Sequence, residues 1–141
     1  MSFTILQVAE AIATAEGFYV PVDSPRYPTI PQTANNPGDL VMPGWQGQAP
    51  GSEKITVFSS IEEGWTRLKH QLLLIVNGTS HVYSLDDTIS TMAAKWTRTS
   101  PAEWAVNVAN ALGVQTGTTL RDLLFDTLAQ RDQLGIRKGH L

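Results

Sequence analysis

The stretch Thr4-Ile5-Leu6-Gln7-Val8-Ala9-Glu10-Ala11-Ile12-Ala13-Thr14-Ala15-Glu16-Gly17 decides how the chain is read. Ile5, Val8, Ala9 and Ile12 recur at helical spacing and form the apolar stripe of an amphipathic helix over residues 4 to 16. Ser2 or Thr4 caps its start, and Gly17 stops it. At about 100° per residue, Glu16 falls inside the apolar arc, whereas Glu10 falls on the opposite face. Burial disfavours a charged carboxyl, and the negative end of the helix dipole pushes the same way at the C-terminus. A carboxyl kept protonated near neutral pH is what a general acid requires. Glu16 is the candidate acid. The alternative is a last-turn side chain that swings into water or pairs with an arginine.

Downstream of Gly17 the periodicity stops. Residues 18 to 54 hold seven of the eight prolines and read as a long irregular segment, which in a compact domain is usually functional. Within it, Ala34-Asn35-Asn36-Pro37-Gly38-Asp39-Leu40 sets two amides, a proline and a glycine ahead of a short β element. Asn amides both donate and accept, so Asn35 and Asn36 suit either sugar N-acetyl groups or loop backbone. A hairpin is expected between Gly38–Val41 and Lys54–Phe58. From Ser60 the chain turns helical. Ser60 with Glu63 reads as a capping box ahead of Ile61, Trp65, Leu68 and Leu72, and Asn77-Gly78 ends that helix. Asp87 or Thr88 opens a short helix to Trp96. Ser100-Pro101 opens another that runs to Gly113, and Thr119 caps a last one. The fold class expected is α+β, mainly α, in one domain spanning residues 1–141.

Composition narrows the function. A net charge of −3 argues against a dedicated nucleic-acid binder. The absence of cysteine removes disulfides, thiolate metal sites and cysteine nucleophiles. His70, His81 and His140 form no metal-ligand spacing, so neither metal nor cofactor is expected. No Lys or Arg precedes Arg26, and Glu10 interrupts the first apolar run, so no signal peptide is expected. No segment reaches the length of a membrane span. Tyr19, Tyr27 and Trp45 in the irregular segment are expected to stack on a ligand, and Tyr83 to close over it. Trp65, Trp96 and Trp104 lie on apolar helix faces and are expected in the core.

Ala15-Glu16-Gly17-Phe18, then Asn35-Asn36-Pro37-Gly38-Asp39-Leu40, then Phe58 with Glu63-Gly64-Trp65 resembles small lysozyme-like proteins of phages and bacterial genomes. Tyr83, Thr88-Ile89-Ser90-Thr91-Met92 and Ala111-Leu112-Gly113-Val114 extend the resemblance to about Leu120. It implies a lysozyme-like fold with an acid-bearing N-terminal helix, a small β-hairpin region and a helical lobe. It further implies cleavage of peptidoglycan glycan between N-acetylmuramic acid and N-acetylglucosamine. The expected partner is the glycan strand, met by a monomer in the cell wall after delivery by a holin, a virion or a secretion machine. One departure stands out. Where phage-type lysozymes carry an aspartate and then a threonine after the glutamate, this chain has Pro25 and Pro31. The second carboxylate is therefore assigned to Asp39, with Asp23 and Glu53 as rivals. An inverting hydrolase would set the two carboxyls roughly 6.5–9.5 Å apart. A lytic transglycosylase would use one glutamate as acid then base, and give 1,6-anhydro products. A non-catalytic glycan-binding or virion module on the same scaffold is the reading from outside enzymology.

Overall fold

The computed structural model describes residues 3–42 and 55–133. Trp45, Glu53 and most of the hairpin tip expected from the sequence lie outside these residues. Among the described residues, seven helices follow one another: α1 (Ile5–Ala15), α2 (Ile30–Thr33), α3 (Ile61–Val76), α4 (Ile89–Trp96), α5 (Pro101–Leu112), α6 (Leu120–Leu123) and α7 (Phe125–Gln133). The chain is mainly helical.

Thr4 caps α1, and Ser2 lies outside the described residues. The Thr4 hydroxyl accepts from the Gln7 N–H, and the Gln7 side chain accepts from the Thr4 N–H in return. This reciprocal cap satisfies two amide groups that the first turn leaves without partners. The stripe buries Val8, Ala9, Ala11, Ile12 and Ala13. Helix α1 packs on α5 and α3, and α5 packs in turn on α4. Ala9 and Ala13 on α1, with Ala105 and Ala109 on α5, are all buried. Small side chains on both helices let the two backbones approach closely. Leu68, Leu72, Ile75, Ile89, Met92, Val108 and Leu120 complete one core.

Three local expectations are corrected. Ser60 accepts from the Glu63 N–H, but Glu63 reaches back to Ser59, so only half of the box forms. Ser100 does not cap α5: its φ of 49° is left-handed, and a capping side chain needs extended backbone to reach the first turn. The last helix breaks in two at Leu124, where α6 ends. Helix α7 is held to the end of α3 by Arg131, whose Nη1 donates to the Val76 carbonyl at 2.6 Å.

The expected hairpin pairing is reduced, among the described residues, to one backbone bond. The Thr56 N–H donates to the Leu40 carbonyl at 3.0 Å, and the Met42 N–H turns instead to the Thr56 hydroxyl at 2.8 Å. The Asn36 side chain explains the shortfall. Its amide donates to the carbonyls of Leu40 (2.9 Å) and Thr56 (2.8 Å), and its oxygen accepts from the Leu40 N–H (2.8 Å). One side chain thus occupies groups that a strand ladder would otherwise use.

Candidate active site

Glu16 sits where α1 ends. Its N–H donates to the Ile12 carbonyl at 3.0 Å, and Gly17, at a φ of 81°, turns the chain away. The carboxyl leaves α1 on the buried side, as its place in the stripe predicts. There it meets α5: the Trp104 indole N–H donates to Glu16 Oε2 at 2.9 Å. Removal from water, reinforced by the nearby charge of Asp39 and opposed by the Trp104 indole N–H, pushes the carboxyl up to about 8.

Asp39 arrives by a different route. Thr29 and Gln32 cap α2 reciprocally, and α2 leads into the turn at Asn35 and Asn36. Asn35 and Asp39 both adopt positive φ, 54° and 53°, a conformation that Asn and Asp tolerate better than most residues. Asn36, wholly buried, locks the turn as described above. Helix α3 supports it from behind. A side chain on Gly64 would run into the Asn35 carbonyl oxygen, so only glycine allows this approach. The Trp96 indole N–H holds the Gly38 carbonyl at 3.0 Å from the other side. So fixed, Asp39 faces the same cleft as Glu16. Burial lifts its carboxyl to about 6. Its Oδ1 is buried without a hydrogen-bond partner among the described residues.

The cleft has a volume of about 500 Å³. Glu16, Asp39, Met42, Tyr83, Trp96 and Thr97 are among its walls. A smaller recess of about 190 Å³, bordered by Thr99, Glu103 and Asn107, opens beside Glu16 as well. The Tyr83 ring lies 5.7 Å from Trp96, and Trp96 stacks on Trp104 at 6.0 Å. The Lys95 ammonium holds the Tyr83 segment in place by donating to the Val82 carbonyl (3.0 Å) while paired with Asp87 (3.1 Å).

Of the candidate residues that the sequence offers, Glu16, Asp39 and Tyr83 line one cleft. Asn35 and Asn36 lie outside the cleft lining. Asn36 is consumed by backbone, and Asn35 Nδ2 donates to the Phe58 carbonyl at 3.2 Å. Their role is to build the turn, the second of the two uses open to an asparagine amide. Tyr19 and Tyr27 lie outside the cleft lining. Tyr19, half-exposed, packs edge-on with Phe18, which in turn meets Trp65 edge-on. Asp23 lies in an exposed turn. Trp96, expected in the core, packs against it and also forms a cleft wall, and Trp104 is buried yet donates its N–H to Glu16. The helical stripe locates both rings and carries no signal for where their N–H groups point.

Among the described residues, no group of three or more His, Cys, Asp or Glu is arranged to hold a metal ion. No described helix is long and apolar enough to cross a membrane. Comparison with known protein families, curated proteins and solved structures found no match.

Proposed function

We propose that this protein is a peptidoglycan glycosidase of lysozyme type, cleaving between N-acetylmuramic acid and N-acetylglucosamine with Glu16 as general acid. One observation carries the reading. Two half-buried carboxyls line one cleft, and their proton affinities straddle neutrality, about 8 for Glu16 and about 6 for Asp39. Near pH 7 the first is protonated and the second ionised, the division of labour that acid–base cleavage of a glycosidic bond requires. The lysozyme-like fold belongs to the same reading. Supporting it are the acid at the end of α1, the turn bonded from Leu40 to Thr56, and the run of five helices from α3 onward.

In this mechanism Glu16 gives its proton to the glycosidic oxygen as the bond from that oxygen to the anomeric carbon breaks. Asp39 takes a proton from a water whose oxygen bonds to the anomeric carbon. Exchange with solvent then returns Glu16 to its acid form and Asp39 to its base form. Tyr83 and Trp96 offer ring faces to sugars in the cleft. The partner is the bacterial glycan strand, and the site of action is the cell wall.

The test is clearing of purified sacculi by wild type, Glu16→Gln and Asp39→Asn, with product analysis. Wild-type clearing with new reducing ends, lost in Glu16→Gln by about 10²-fold or more, is expected for a hydrolase using this acid. Products ending in 1,6-anhydromuramic acid would assign a lytic transglycosylase instead. No clearing by wild type would leave a glycan-binding module.

A further inference from the structure

Accepting that reading of the cleft, we propose that Trp104 is a positioning residue that decides which oxygen of Glu16 carries the transferable proton. The indole nitrogen is a donor and cannot accept. Its N–H is spent on Glu16 Oε2 at 2.9 Å. A carboxylic O–H on Oε2 would have to share that oxygen with an N–H that cannot take its proton. The proton is therefore held on Oε1.

Trp104 is itself immobilised. It is 4% exposed, and its ring stacks on Trp96 at 6.0 Å with 28° between the planes. Trp96 is anchored by its own N–H to the Gly38 carbonyl, the residue before Asp39. The stacked indoles thus reach one carboxyl directly and the turn of the other through backbone. A rigid pair of rings fixes the acid relative to the base, and a displacement of about 1 Å between such groups can cost about 10²-fold in rate. The other charged groups around Glu16 are Asp39 across the cleft, Lys95 and Arg98 on the cleft wall, and Glu103 in the smaller recess.

Trp104→Phe keeps a ring against Trp96 and removes the N–H. It is expected to lower kcat about tenfold on soluble glycan fragments, with KM within about twofold. The alkaline limb of its pH profile should move up, because the lost N–H favoured the charged carboxyl. A tryptophan serving only to fill space would leave that limb where it was, and an unmoved limb overturns the proposal. A second measurement uses the intact protein and no substrate. One indole N–H resonance should titrate with a midpoint near 8 and stop titrating in Glu16→Gln; absence of any such resonance overturns the proposal even if Trp104→Phe does not fold. Failure of wild type to clear sacculi would overturn the glycosidase reading, and that result comes from a different assay.

Discussion

The charge of Asp39 raises the proton affinity of Glu16 across the cleft. Neither residue is near the other in sequence. One ends a helix and the other closes a turn, and the fold makes each a term in the other's chemistry. Like charges in one water-poor site cannot both ionise easily, so their proton affinities separate.

A bell-shaped pH dependence follows for kcat/KM. Activity should rise as Asp39 ionises around pH 6 and fall as Glu16 ionises around pH 8. In Asp39→Asn, the Glu16 titration followed by NMR should move down, because one of the two raising influences is gone. It should stay above the ordinary glutamate value, because burial is the larger influence and remains. A profile flat from pH 5 to 9, or a Glu16 midpoint unaffected by Asp39→Asn, would contradict this coupling.

The acid also weakens the fold where it ionises. Folded Glu16 titrates near 8 against an ordinary value of 4.5. Between these values the folded chain keeps a proton that the unfolded chain has released, so stability falls as pH rises through the window and is greatest below it. The span sets a ceiling of about 5 kcal/mol, reached above pH 8. Glu16→Gln removes the charge and keeps an oxygen that can accept from Trp104. Its urea midpoint should match wild type near pH 4 and exceed it increasingly towards pH 9. Wild type equal to the variant at pH 9 would mean that Glu16 ionises in contact with water.

The helix faces and the inward aim of Glu16 are legible because helical periodicity is local: Ile5, Val8, Ala9 and Ile12 suffice to set it. Asp39 was legible only as chemistry near a turn. What orients it is a set of nonlocal bonds, from Asn36 to Thr56 and from Trp96 to Gly38, that no spacing encodes. Ser100 misleads for a related reason. Its side chain suits a cap, but whether it caps depends on a backbone angle set by its surroundings. Tyr19 and Tyr27 lie in an irregular segment, whose path is fixed by tertiary contacts and not by spacing.

Replacing Asn36 tests the scaffold role directly. Asn36→Ala strands the Leu40 N–H and removes a donor from both the Leu40 and Thr56 carbonyls. Leaving buried groups unpaired costs about 1–3 kcal/mol each, partly recovered as the turn relaxes, so a loss of about 3 kcal/mol in urea unfolding is expected. A ligand-binding asparagine would instead raise KM and leave stability alone.

Gly64→Ala probes the same turn from the side of α3. The added methyl would meet the Asn35 carbonyl and, at 2.9 Å, the Pro37 ring. Backbone cannot yield as a flexible side-chain tip can, so α3 or the turn must shift, at a cost of about 1–3 kcal/mol or more. Asp39 rides on that turn, so kcat should fall together with stability. Full activity in a destabilised Gly64→Ala protein would show that the Asp39 carboxyl needs no exact placement.

Tyr83 separates cleft aromatics from surface ones. It lines the cleft and is pushed up to about 12, mainly by burial, so it stays a neutral phenol across the working range. Tyr83→Ala removes a ring face next to Trp96 and should raise KM about tenfold, in line with about 1.5 kcal/mol for an aromatic contact. Tyr19→Ala and Tyr27→Ala, whose rings stand outside the cleft lining, should leave KM within about twofold. The three variants need only one soluble glycan substrate and initial rates. A rise in KM for Tyr19→Ala equal to that for Tyr83→Ala would mean that the sugar chain extends out of the cleft, past Gly17, onto the Phe18–Tyr19–Trp65 cluster.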